Sequence, residues 1–116
     1  MPDANGQQSL NDNEISVKEV KDRLDKGEDL TIIDIREAFE LQIASITGVK
    51  HIPMNTIPNR LEEFNTDEEL IVMCRTGIRS AEVRDFLLNK DYNNAKNMTG
   101  GIRAWSEEID SSVPIY

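Results

Sequence analysis

Residues 70–83 read Leu70-Ile71-Val72-Met73-Cys74-Arg75-Thr76-Gly77-Ile78-Arg79-Ser80-Ala81-Glu82-Val83, and their patterning sets the fold class. Leu70 to Met73 is a short, unbroken apolar run. Such a run suits a strand covered on both faces, as in a parallel sheet. Val83, Phe86 and Leu87 follow at helical spacing. Between them lies a loop containing Gly77, and the pattern predicts a helix opening near Ser80. A strand that passes through a tight loop into a helix is the repeating unit of an α/β domain.

The same alternation extends in both directions. Residues 14–16 make a short first strand, and Ser16 with Glu19 has the S-x-x-E form of a capping box. Val17, Val20 and Leu24 then recur at helical spacing, with Gly27 as the stop. Residues 30–35 form a second β-branched apolar run. A short helix is expected over 38–42, and a brief strand at 51–53 is stopped by Pro53. Pro58 predicts the start of a further helix with Ile57, Leu61 and Phe64 on one face. Ala95 to Met98 is a weak strand. Gly100-Gly101 precedes a helix that turns Ile102, Trp105 and Ile109 inward. Together these elements predict an α/β fold: a mostly parallel five-stranded sheet, helices on both faces, and right-handed crossovers.

Composition narrows the classes of function. A chain of 116 residues is one domain with room for one core. Residues 1–13 (MPDANGQQSLNDN) are polar and without periodicity, so a flexible tail or linker remnant is expected there, with the folded domain at 14–116. The net charge of -9 disfavours nucleic acid and anionic membranes, which are bound through basic patches. One cysteine permits no internal disulfide and fits a reducing, cytoplasmic setting. No apolar run approaches the ~20 residues of a membrane span, and no basic region followed by an apolar stretch marks a secretory signal. Aromatic residues make up only 5%, which points to a monomer. No metal or cofactor is called for.

The chemistry concentrates in the loop. In parallel sheets, sites lie beyond the carboxyl ends of strands. Cys74 directly follows one strand, and Asp34 and Arg36 lie near the end of another. From Cys74 to Ala81 there are two arginines and no acid, a local positive site on an acidic body. The amides of Arg75, Thr76, Gly77, Ile78, Arg79 and Ser80 are expected to curl around the sulfur. With the helix N-terminus and both guanidinium groups, they favour thiolate over thiol. Thr76 adds a hydroxyl, and Gly77 the freedom a tight loop needs. The plain alternative is a core cysteine that fills space. An adjacent arginine, a glycine, a second arginine and a helix start together weigh against it.

These residues resemble the rhodanese-type sulfurtransferases, whose active loop commonly reads C-R-x-G-x-R. Asp34-Ile35-Arg36-Glu37 is similar to the family's D-x-R-E segment. Ile46, Gly48, Ile52 and Pro53 fit its I-P-G-A-x-x-I-P segment, and Gly100-Gly101-Ile102-Arg103-Ala104-Trp105 fits its G-G-x-x-x-W. Order and spacing agree from about Ile15 to Ile109. The family's histidine position holds Ser45 here, and His51 occupies another position and inherits no role.

The resemblance implies that the Cys74 thiolate takes sulfur from a small anionic donor such as thiosulfate, becomes a persulfide, and passes the sulfur to an outside acceptor. It leaves Asp34, Arg36, Gly100, Gly101 and Trp105 mainly structural, with Asp34 and Arg36 tying loops at the site edge. Three alternatives stand beside it. A phosphatase or arsenate reductase of related loop architecture uses C-x5-R, whereas four residues separate Cys74 from Arg79. A non-catalytic rhodanese-like binding module is a second. The third is the sulfur-relay domain of a larger enzyme that activates sulfur-carrier proteins, supplied by a cysteine desulfurase.

Overall fold

The computed structural model describes residues 13–116. The tail expected over 1–13 lies outside the described residues, apart from Asn13. The Asn13 carbonyl accepts the Asn97 amide at 3.0 Å, and its side-chain amide donates to the Ala95 carbonyl at 3.3 Å. Asn13 therefore already belongs to the sheet edge.

The strands are β1 (Glu14–Ile15), β2 (Thr31–Asp34), β3 (Lys50–His51), β4 (Leu70–Met73) and β5 (Ala95–Met98). They form one sheet in the order β1-β5-β4-β2-β3, and every pairing is parallel. The helices are α1 (Val17–Asp25), α2 (Ala38–Ile43), α3 (Ile78–Asn89) and α4 (Gly101–Glu108). The expected α/β architecture with a five-stranded parallel sheet is the one observed.

Side-chain alternation along the strands divides the core in two. On one face Ile32, Ile71, Met73 and Met98 pack with Val17 and Val20 of α1 and Ile102 and Trp105 of α4. On the other, Ile33, Leu70, Val72 and Cys74 pack with Val83 and Leu87 of α3. All four residues of β4 are fully buried, which explains why this strand is apolar throughout. Cys74 continues its alternation and falls on the α3 side. The chain leaves β2 toward β3 on one edge and leaves β4 toward β5 on the other. The β4/β2 border is thus where the connections diverge, the place where open parallel sheets leave a crevice. Cys74 and Asp34 both lie at that border.

Two expected elements differ. Residues 54–63 form no α-helix but two 3-10 stretches, Met54–Asn59 and Leu61–Glu63. Pro58 sits inside the first. It has no amide hydrogen, and its ring blocks the α-helical bond to the preceding turn. Ile57 is nevertheless buried, and Leu61 and Phe64 pack against the α3-side core as their spacing implied. The second difference is the start of α3, which is Ile78 and not near Ser80. Gly77 caps it with φ +96, a left-handed conformation open to glycine. In α1, Ser16 accepts the Glu19 amide at 3.1 Å. The reciprocal capping contact appears instead at α2, where the Glu37 amide donates to Glu40 Oε2 at 3.0 Å. No helix among the described residues is long and apolar enough to cross a membrane.

Candidate active site

Cys74 stands at the carboxyl end of the central strand β4, where the chain turns into α3. Its side chain is buried but is surrounded by donors. The Gly77 amide lies 3.1 Å from Sγ, the Ser80 amide 3.4 Å and the Ser80 hydroxyl 3.3 Å. Burial pushes the Cys74 thiol up, but the Ser80 hydroxyl and the amides of Ser80, Gly77 and Thr76 outweigh it, and the thiol lies below its ordinary value. The direction matches the expectation, since donors aimed at sulfur favour its charged form. The expected full ring from Arg75 to Ser80 is narrower in fact. Once α3 opens at Ile78, most later amides align with the helix axis, and the Ser80 amide is the one that reaches back to sulfur.

The loop is held from beneath by two other elements. The amides of Ile102 and Arg103, in the first turn of α4, donate to the carbonyls of Cys74 and Arg75 at 2.9 and 3.0 Å. Those carbonyls are thereby committed to α4. Gly101 makes this approach possible: with φ +61, any Cβ there would overlap the Cys74 and Arg75 carbonyls. The Gly-Gly pair thus works as a seat for the loop, in line with its structural reading. From β5, Asn97 donates to the Gly77 carbonyl at 3.2 Å and accepts from the Ser80 hydroxyl at 2.6 Å. The Ser80 proton can serve Asn97 or Sγ, one at a time. A thiolate competes for it; a thiol does not.

Beside this cradle lies a layer of paired charges. Arg36 and Asp34 are both fully buried, and Nη2 meets Oδ2 at 2.7 Å while Nε meets Oδ1 at 2.9 Å. Arg36 also donates to the Ala44 carbonyl at 2.9 Å, so the pair ties β2 to the end of α2. His51 Nε2 contacts the Arg36 carbonyl at 2.7 Å. Arg79, expected to offer its charge to the sulfur site, forks onto Glu40 with both contacts at 2.9 Å. That bond holds the Glu40 carboxyl at about 2, against the opposing effect of burial. Among the described residues no carboxylate pairs with Arg75; its guanidinium lies over the Tyr116 ring, 5.0 Å from the centroid. Thr76 and Ile78 are exposed at the loop rim.

Three residues that the sequence did not single out therefore belong to this region: Glu40, Asn97 and Tyr116. Asn97 did carry a signal, because it shares strand parity with the core residue Ala95. Glu40 and Tyr116 carried none beyond being polar. Ser45, at the family's histidine position, lines a separate groove of about 510 Å³ with Ile43, Trp105 and Val113. Cys74 does not line that groove. Among the described residues no cluster of three or more His, Cys, Asp or Glu side chains is arranged for a metal.

Comparison with known proteins agrees with this fold. A sulfurtransferase of Allochromatium vinosum is 34% identical over 94 residues, covering 81% of this chain and 88% of its own. The maize adenylyltransferase and sulfurtransferase MOCS3-2 is 33% identical over 109 residues, 88% of this chain. This chain spans only 23% of that relative's length. Among solved structures, a rhodanese-like domain protein from Staphylococcus aureus superposes with a TM-score of 0.77 at 34% identity, covering 90% of this chain and 98% of its own. The family model for the rhodanese-like domain matches residues 16–108, from the cap of α1 to the end of α4 and across the whole Cys74 cradle, and the chain belongs to that family.

Proposed function

We propose that the protein is a sulfurtransferase that carries sulfane sulfur on Cys74. The observation that carries this reading is the convergence of the Gly77 amide, the Ser80 amide and the Ser80 hydroxyl on one sulfur atom. The Cys74 thiolate attacks the outer sulfur of thiosulfate. The new S–S bond forms as the donor's S–S bond breaks, and sulfite leaves with the electron pair. The product is an anionic persulfide, stabilised by the same class of donors that stabilise the thiolate. An acceptor nucleophile such as cyanide or a thiolate then attacks the outer sulfur, and Cys74 recovers its electron pair. The overall exchange needs no metal or redox cofactor. A cradle closed by four intervening residues fits one sulfur better than the tetrahedral oxyanion of a C-x5-R phosphatase.

A second reading concerns context. The likeness to a maize protein of which this chain spans 23% supports a role as the sulfur-relay domain of a longer enzyme. The donor would then be a cysteine desulfurase, and the acceptor a sulfur-carrier protein. The single cysteine, which has no disulfide partner, supports a reducing cytoplasmic setting, and no second thiol in the chain can resolve the persulfide. We read the domain as monomeric.

Intact-mass measurement after incubation with thiosulfate tests the proposal. One added sulfur is expected, removable by cyanide and absent from Cys74→Ser. A chain that gains no sulfur, or a Cys74→Ser chain that still gains it, overturns the reading. Cys74-dependent hydrolysis of a phosphate ester would favour the phosphatase alternative, and a wild-type chain inert in both assays the binding module.

A further inference from the structure

We propose that Tyr116 is a specificity-determining residue: its ring seats Arg75 as an uncancelled cation at the rim of the Cys74 loop, which favours anionic over neutral reactants at the sulfur. The inference takes the donor's chemical class from the sulfur-transfer reading above, but its geometry stands apart from it.

The Tyr116 hydroxyl is held from two sides. It accepts from Arg36 Nη1 at 2.7 Å and donates to Glu40 Oε1 at 2.9 Å. Arg36 is itself fixed by buried Asp34, and Glu40 by Arg79 and the Glu37 amide. The ring therefore cannot swing without breaking bonds to two buried charged residues. Two arginines lie over the ring, Arg75 at 5.0 Å and Arg36 at 5.8 Å from the centroid.

The two loop arginines are consequently held by opposite means. Glu40 meets Arg79 with a full negative charge, which offsets much of its own. The Tyr116 ring holds Arg75 through its quadrupole, which has no net charge to cancel anything. Among the described residues no carboxylate pairs with Arg75, and its Nε is buried without an acceptor. A carboxylate or sulfonate brought to the rim would find there a guanidinium that is positioned and still fully charged. An aromatic seat positions a cation and leaves its attraction for a ligand intact; a carboxylate seat removes most of that attraction.

The test uses the intact chain and two alkylating reagents that differ in charge, so it does not require sulfur transfer to work. Cys74 is alkylated by iodoacetate, an anion, and by iodoacetamide, its neutral counterpart, and the ratio of rates is recorded by mass. In Tyr116→Leu the ratio of iodoacetate to iodoacetamide is expected to fall about fivefold. Tyr116→Phe, which keeps the ring and loses the hydroxyl that holds it, is expected to give a ratio between those of the wild type and Tyr116→Leu. Arg75→Gln should lower the ratio as Tyr116→Leu does, and adding Tyr116→Leu to Arg75→Gln should lower it no further. An unchanged ratio in Tyr116→Leu overturns the inference, including the case in which both rates change together. A Tyr116→Phe ratio as low as that of Tyr116→Leu also overturns it, because the hydroxyl network and not the ring would then be responsible. If the ratios behave as expected while thiosulfate loads no sulfur, the sulfur-transfer reading fails and the role of Tyr116 stands.

Discussion

Two adjoining regions of this protein stabilise charge in opposite ways. Around Cys74, neutral dipoles favour the negative form of the sulfur: the amides of Gly77 and Ser80 and the hydroxyl of Ser80. One layer away, positive guanidinium groups are held by full charges, Arg36 on Asp34 and Arg79 on Glu40. The difference suits what each region does. In the proposed sulfur transfer Cys74 gains, holds and releases a sulfur atom, and it keeps its reactivity when no counter-ion sits on it. A group that must hold loops together gains from a partner that cancels its charge, since an unpaired buried charge is costly. Arg75 is the exception that joins the two regions, a cation positioned by an aromatic ring.

The comparison can be broken at several points. The largest effect on the framework is expected at Gly101. A Cβ there overlaps the Cys74 and Arg75 carbonyls at a positive φ, so Gly101→Ala must displace α4 or the loop. A loss of about 2–4 kcal/mol in denaturant unfolding is expected, with sulfur loading lost in parallel. If Gly101→Ala left both stability and loading intact, the α4 seat would not be what shapes the cradle.

A smaller effect is expected on the carboxylate side. Glu40→Gln keeps the shape and removes the charge that Arg79 pairs with. Because Arg79 retains access to water, the expected cost is about 1–2 kcal/mol. The pH dependence is the sharper measurement. The folded Glu40 carboxyl lies at about 2, below its ordinary 4.5. A depressed carboxylate contributes stability that is fully present above about 4.5 and is lost as pH falls toward 2. Glu40→Gln should therefore narrow its stability gap from the parent chain as the pH drops through that window. A gap that stays constant from pH 6 to about 2 would mean that the pair is not what Glu40 contributes.

The smallest effect is expected within the dipole cradle. Ser80→Ala removes one donor to sulfur and leaves the two amides. The Cys74 thiol should move up toward its ordinary value, and alkylation by iodoacetamide near neutral pH should slow about threefold. The midpoint of the pH–rate profile should rise with it. A midpoint that did not move would place the Ser80 proton on Asn97 in both states of the thiol.

Much of the fold was open to reading along the chain. Leu70 to Met73 was bounded as observed, because a strand buried on both faces is apolar at every position and needs no partner to be recognised; Ala95 to Met98 was bounded as observed too, but its Lys96 and Asn97 made the signal weaker. The Cys74 loop was equally plain, since its cysteine, glycine and arginines sit within a few residues of one another. The 3-10 stretch around Pro58 was less so. A proline can open an α-helix or sit inside a tighter turn, and the local pattern of Ile57, Leu61 and Phe64 is the same in both. The earlier start of α3 turned on the left-handed φ of Gly77, which glycine permits and does not compel.

What the sequence by itself determined is the local chemistry: a strand-loop-helix unit with one cysteine at its head, a glycine able to turn the loop, and a polar, acidic surface around it. These follow from backbone propensities and short spacings, which act within a few residues. What only the tertiary structure decided is which charges remain free. Glu40 reaches Arg79 across 39 positions and Tyr116 reaches Glu40 across 76, and nothing local distinguishes either residue from its polar neighbours. Two arginines that look equivalent in the chain became different once the fold placed a carboxylate against Arg79 and a ring against Arg75. Electrostatic attraction depends on distance in space, and only the packing of α2 and the C-terminal segment around the loop sets those distances.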